Sequence, residues 1–221
     1  MPNQPIKLLV FDWDGTLADS TASIINAMQA AIDDCGIEPR SNEDISNIIG
    51  LGLLQAAAVL YPDLNPADQE MLAHKYRSHY SLANQGKTLL FPGVHNTLDQ
   101  LKTLDYQLAI ATGKSRKGLE NSLRNTGVED YFHFSRCADE TFSKPHPQML
   151  MDIMDELDVK PGQTVMIGDS EYDLQMANNA GVKPIAVTYG SQTRDHLLKY
   201  KPAICLDHIT DLVDWLVINQ N

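Results

Sequence analysis

The run Ile6-Lys7-Leu8-Leu9-Val10-Phe11 and the acids that end it, Asp12-Trp13-Asp14-Gly15, constrain this chain more than any other segment. A short apolar run stopped by Asp-Gly predicts a strand buried on both faces, and strands of that kind belong to parallel sheets covered by helices. Such a strand presents its ligand-binding groups at its carboxyl end, so Asp12 and Asp14 are expected together at the mouth of an α/β crevice. Two carboxylates this close repel each other and stay charged only beside a cation. A metal ion or a cationic substrate group answers that need, with magnesium the leading choice.

The rest of the chain extends this reading. Ile24, Ile25, Met28, Ala31, Ile32 and Cys35 recur at helical spacing between Asp19 and Ile37, with Asp19 or Ser20 as N-cap and Gly36 as the stop. A second helical stretch covers Asp44 to Leu60, broken by Gly50-Leu51-Gly52, and a third follows Pro66 through Met71, Leu72, Tyr76, His79 and Leu82. No strand is predicted in this interval. Beyond Asn84-Gln85-Gly86, strands at Gln107 to Ala111, Thr164 to Ile167, Lys183 to Val187 and Ala203 to Leu206 alternate with helices around Val94/Leu98/Leu101 and Met149 to Leu157. Alternation of this kind implies a parallel sheet with crossover helices. The predicted architecture is therefore α/β, a Rossmann-like parallel sheet core flanked by helices (residues 1–16 and 87–221), with an all-α domain inserted at 17–86.

Composition narrows the function classes. The 221 residues carry 29 acids against 17 Lys and Arg, a formal charge of −12, which disfavours a nucleic-acid partner bound by phosphate neutralisation. Met1 to Lys7 lacks the pattern of a signal peptide, and no apolar run approaches the ~20 residues of a membrane span. Cys35, Cys137 and Cys205 are dispersed and odd in number, which suits buried thiols in a reducing compartment. The cytoplasm is the expected location.

Three further segments supply chemistry. Leu108 to Thr112 ends in Thr112-Gly113-Lys114-Ser115 before a helix, a phosphate-binding arrangement of hydroxyl and free amides. It is not a P-loop, because position 108 is Leu where that motif requires glycine. Lys144-Pro145-His146-Pro147 is a rigid turn that can aim Lys144 at one spot. Val165 to Ile167 runs into Gly168-Asp169-Ser170-Glu171-Tyr172-Asp173, where Asp169 at the strand end can reach a metal and Asp173 suits a helix start or a supporting role. Together these make a phosphoryl-transfer set. One carboxylate attacks phosphorus, a cation with Lys144 and Thr112 screens the dianion, and a second acid serves the leaving oxygen and then water.

In these motifs the chain resembles the haloacid dehalogenase (HAD) superfamily, specifically its helical-cap phosphatases of the phosphoglycolate phosphatase-like kind. Asp12 to Ser20 meets D-x-D-G-T-L-x-D-S, and Thr112, Lys144-Pro145 and Gly168 to Asp173 meet the three later motifs in order. The resemblance implies Asp12 as nucleophile and Asp14 as general acid/base, with Thr112 and Lys144 holding the phosphate and the Gly113 amide approaching one of its oxygens; Lys114 is expected among the substrate-binding residues. It further implies a Mg2+ site at Asp12, the Asp14 carbonyl and Asp169, supported by Asp173. Asp14 argues against dehalogenase chemistry, which lacks this second acid. A sugar phosphomutase-type phosphotransferase stands as an alternative, although its Lys-Gly and Arg-Ser pattern is missing around Ile49 to Gln55. A receiver-like phosphorylation switch without turnover is the other. The expected partner is a small phosphorylated metabolite, with neither nucleic acid nor membrane, and the chain is expected as a monomer or weak homodimer. The apolar Ile48 to Leu54, in an insert with Arg40, Lys75 and Arg77 against nine acids, suggests a small or weakly charged leaving group. Lys114 and Arg116 are the basic residues expected nearest a substrate carboxylate or second phosphate. His74, His79, His133 and His146 have no metal-ligand spacing.

Overall fold

The computed structural model describes residues 5–83 and 88–219, so the expected chain break at Asn84-Gln85-Gly86 and the return at Lys87 lie outside the described residues. In chain order the elements are β1 (Leu8–Phe11), α1 (Thr21–Cys35), α2 (Asn42–Ser46), α3 (Leu53–Leu60), α4 (Pro66–Ala83), α5 (Val94–Thr103), β2 (Gln107–Thr112) and α6 (Arg116–Thr126). There follow β3 (Phe134–Cys137), α7 (Gln148–Glu156), β4 (Thr164–Gly168), α8 (Glu171–Asn179), β5 (Lys183–Val187), α9 (Arg194–Leu197), β6 (Cys205–Leu206) and α10 (Asp211–Asn219).

The six strands form one parallel sheet in the order β3-β2-β1-β4-β5-β6. Side chains alternate across a strand, and β1 shows why its whole sequence is apolar. Leu9 and Phe11 join Ile110, Ile167 and the helix residues Leu98, Leu119 and Leu212 on one face. Leu8 and Val10 join Ala109, Met166 and the residues Leu150, Ile153 and Ala177 of α7 and α8 on the other. Burying each large aliphatic side chain contributes roughly 1.5–3 kcal/mol, and a one-residue slip of β1 would exchange the two faces, so register is fixed from both sides.

Helices α1 to α4 bury a third apolar cluster of their own, including Met28, Ile32, Ile45, Leu60 and Leu72. The chain crosses from β1 into these helices and back as two paired segments: Ala18 bridges Leu90 antiparallel, Asp19 N donates to Leu89 O at 2.9 Å, and Phe91 N donates to Leu17 O at 3.0 Å.

Three local details differ from the sequence reading. Helix α2 starts earlier than Asp44, because Ser41 and Asp44 form a reciprocal capping box. Ser20 is the N-cap of α1 but makes no side-chain cap bond; its hydroxyl donates instead to Asp14 at 2.7 Å. Strand β3 was not anticipated, since Phe-Ser-Arg-Cys is a half-exposed edge strand with little apolar signal.

Candidate active site

The sheet order reverses direction at β1, which lies between β2 and β4, and the site sits at the carboxyl ends of these three strands. Asp12 follows β1 directly and is held in line by its amide, which donates to Ile167 O of β4 at 2.9 Å. Its side chain is buried, and Oδ1 forms an ion pair with Lys144 Nζ at 2.7 Å. Oδ2 has no hydrogen-bond partner.

Lys144 is itself buried, reached through a cis bond to Pro145, and its ammonium also meets Asp173 Oδ1 at 2.6 Å. Burial alone would lower the Lys144 pKa, but Asp12 and Asp173 together carry it above its ordinary value. The second oxygen of Asp173 closes the N-terminus of α8, accepting from Ser170 N at 3.1 Å and Ser170 Oγ at 2.6 Å. Asp173 is thus both helix cap and lysine partner. Gly168, at the end of β4, is required by this arrangement, since a Cβ there would stand 2.3 Å from the Asp173 side chain.

Asp169 accepts from Thr16 Oγ1 at 3.1 Å and from the amide and hydroxyl of Ser191 at 2.7 and 2.6 Å. Gly15, at φ +82°, and Gly190 pass so close that a Cβ on either would lie 2.2–2.3 Å from an Asp169 side-chain atom. Thr16, Ser191 and Gly190 escaped the sequence reading. Thr16 lies within the first motif without a distinguishing pattern of its own, and Ser191 and Gly190 follow β5 in a loop that carries no motif.

Oxygens of Asp12, Asp169 and Asp173 lie within 4.8 Å of one another, all buried. Two of the three pair with Lys144, and burial raises the Asp12 pKa well above its ordinary value and that of Asp169 to about 6. A hard divalent cation fits this donor set: oxygen ligands, excess negative charge and an unpartnered Asp12 oxygen. Asp14 stands apart from the cluster. Its two oxygens each accept from Lys114 Nζ at 3.0 Å, and Lys114 continues to the Tyr80 hydroxyl of α4 at 3.2 Å. Lys114, expected nearest a substrate carboxylate or second phosphate, here pairs with Asp14 and lies 4.8 Å from the centre of the Tyr80 ring. Arg116 is likewise engaged, with Glu140 at 2.8 Å and Ser135 at 2.7 Å.

Asp12, Asp14, Thr112 and Gly113 line a cavity of about 890 Å³ that is also lined by residues of α1, α3 and α4 and by the segment before α3. The apolar Ile48 to Leu54 does face it. Thr112 Oγ1 accepts from Lys114 N at 3.2 Å, and Lys144, Asp169 and Asp173 lie buried beneath the floor. Among the described residues, no helix is long and apolar enough to cross a membrane.

A 30% identical relative is phosphoglycolate phosphatase from Psychrobacter arcticus, the match covering 96% of each chain. Pyrophosphatase PpaX from Bacillus mycoides is 28% identical over 94% of this chain and 95% of its own. Among solved structures, a haloacid dehalogenase-like hydrolase from Bacteroides fragilis superposes with a TM-score of 0.87 at 27% identity, over 94% of this chain and 99% of that one. The family model of the haloacid dehalogenase-like hydrolases matches residues 9–187, nearly the whole span from β1 to β5, and the chain belongs to that family.

Proposed function

We propose that this hydrolase is a Mg2+-dependent phosphatase that cleaves a small phosphate monoester through an aspartyl-phosphate intermediate on Asp12. The observation that carries the reading is the buried, unpartnered Oδ2 of Asp12, at the floor of a cavity shared with the Asp14 carboxylate and the Thr112 hydroxyl. Relatives named phosphoglycolate phosphatase and pyrophosphatase agree with a small phosphorylated substrate.

In this reading Asp12 Oδ2 attacks phosphorus as the ester P–O bond breaks, and the departing oxygen takes a proton from Asp14. Water then attacks the aspartyl phosphate and gives its proton back to Asp14, releasing inorganic phosphate and restoring the Asp12 carboxylate and the protonated Asp14. Lys144 neutralises Asp12 from below, and Thr112 with the Gly113 amide holds phosphate oxygens. Mg2+, held by Asp12, Asp169 and the Asp14 carbonyl with Asp173 in support, would screen the negative charge of the phosphate from the attacking carboxylate. Lys114 orients Asp14 rather than the substrate. Residues 17–86 act as the cap over this floor, and the paired segments at Leu17–Asp19 and Leu89–Phe91 are its hinge.

The test is hydrolysis of p-nitrophenyl phosphate with and without Mg2+, combined with acid quenching to trap phosphoprotein. Metal-dependent multiple turnover with a transient acyl phosphate is expected. No turnover with any ester, alongside a long-lived acyl phosphate, would instead support a receiver-like switch.

A further inference from the structure

The lining of the cavity above Asp12 is of two kinds. Ile24, Met28 and the Ile48 to Leu54 segment supply apolar surface. Polar groups come from two helices: His74, Arg77 and Ser81 at helical spacing on α4, and Lys117, Asn121 and Asn125 on α6. Apolar lining with a few polar groups is the arrangement that orients a small ligand by a few fixed contacts.

The charges that line the cavity are unlike those of the insert as a whole. None of the nine acids of the insert lines it; among the described residues its acids are Asp12, Asp14 and Asp139. Asp14 is matched by Lys114, and Asp139 Oδ1 accepts from Arg116 N at 2.9 Å. Arg77 and Lys117 have no ion pair or hydrogen bond from their side chains to any described residue. Two uncommitted cations thus line the same chamber of a chain whose formal charge is −12. Lys117 also stands in the first turn of α6, an eleven-residue helix with no acid there. The Asp139 carboxylate already serves that helix end through the Arg116 amide, so the group left to meet a ligand there is the Lys117 ammonium.

We propose that Arg77 and Lys117 form a second anion site in this chamber, selecting phosphate esters whose leaving group carries a carboxylate or a second phosphate. The inference rests on the phosphatase reading above and adds to it which residues choose the leaving group. The apolar lining residues then pack the carbon skeleton between the two charged ends of the substrate.

The experiment compares kcat/KM, with Mg2+, for phosphate esters of hydroxy acids of two, three and four carbons against esters of diols of the same lengths. Pyrophosphate is a separate arm that distinguishes a phosphate from a carboxylate at the second site. The wild-type chain should prefer the acid ester over its diol counterpart by about tenfold or more at one length, or else prefer pyrophosphate similarly. In Arg77→Gln/Lys117→Gln that preference should collapse toward unity, through KM rather than kcat, while Arg77→Lys retains part of it. A wild type that hydrolyses acid and diol esters equally and shows no preference for pyrophosphate, or a preference unchanged in the double variant, overturns the second site and leaves the phosphatase reading standing. No hydrolysis of any ester by the wild type overturns both.

Discussion

The floor and the roof of this site are held by different kinds of contact. The floor is the carboxyl edge of a doubly covered parallel sheet, where Asp12, Lys144 and Asp173 are fully packed and joined at 2.6–2.7 Å. The roof is the α1–α4 unit, which has its own apolar cluster and reaches the floor through single polar contacts. Gly52 N donates to Ser143 Oγ at 2.8 Å, Ser46 Oγ to Ser191 O at 2.8 Å, Tyr172 OH to Asn47 O at 3.0 Å, and Lys114 to Tyr80 OH at 3.2 Å. A typical hydrogen bond contributes only about 0.5–1.5 kcal/mol net. In the proposed reading the reacting groups are therefore fixed by burial, whereas the roof is tied to them by bonds that each contribute little.

Four outcomes would break or sharpen that contrast. The largest effect is expected at the floor: Asp12→Asn should lower kcat by roughly 10⁴ or more, because it removes the proposed nucleophile at constant volume. Its thermal melt should stay cooperative, and residual turnover within about a hundredfold of wild type would refute the covalent route.

Lys144→Met leaves three buried carboxylates facing one another. Removing one partner of a buried ion pair costs about 3–5 kcal/mol, so urea unfolding of the metal-free variant should shift by that amount. A shift below about 1 kcal/mol would show that the acids are neutralised by something other than Lys144.

The third outcome concerns pH. Asp169 has a folded pKa of about 6 against an ordinary 3.8, raised first by burial and then by Asp173. A raised carboxyl pKa means the folded chain binds the proton more tightly than the unfolded one. The resulting stability is present below 3.8 and is lost as pH rises through about 6. The melting temperature of metal-free protein should fall across this interval, Mg2+ at neutral pH should restore it, and Asp169→Asn should flatten the dependence. A metal-free melting temperature that rises over the same interval in wild type but not in Asp169→Asn would reverse the sign assigned to Asp169.

The smallest effect belongs to the roof. Tyr80→Phe deletes one hydroxyl contact to Lys114 while keeping the ring beneath its charge. A drop of about tenfold or less in kcat/KM is expected, with little change in melting temperature. A loss as large as that of Asp12→Asn would mean that the roof, too, is part of the rigid chemical apparatus.

The same contrast explains what could be read from the sequence. β1, β2, β4 and β5 were legible because strands buried on both faces must be apolar throughout, and their ends then fixed the positions of Asp12, Thr112 and Asp169. β3 was not, because an edge strand of Phe, Ser, Arg and Cys needs no such run. The partnership of Lys114 with Asp14 spans 100 residues and depends on where α4 brings Tyr80, which no local pattern encodes. Summing charges over the insert likewise does not say which of them face the cavity: of its cations Arg77 lines it, whereas Arg40, Lys75 and the nine acids do not.

Gly113 adds a consequence for how the roof comes to rest. A Cβ at this position would stand 2.5 Å from Leu51 O and 2.7 Å from Gly50 O, both of them backbone atoms of the roof. Side chains can swing away from such a collision; two consecutive carbonyls in a tight loop cannot move without carrying the loop with them. The missing methyl group at Gly113 therefore sets the height of the ceiling, and with it the depth of the chamber that a leaving group must fill.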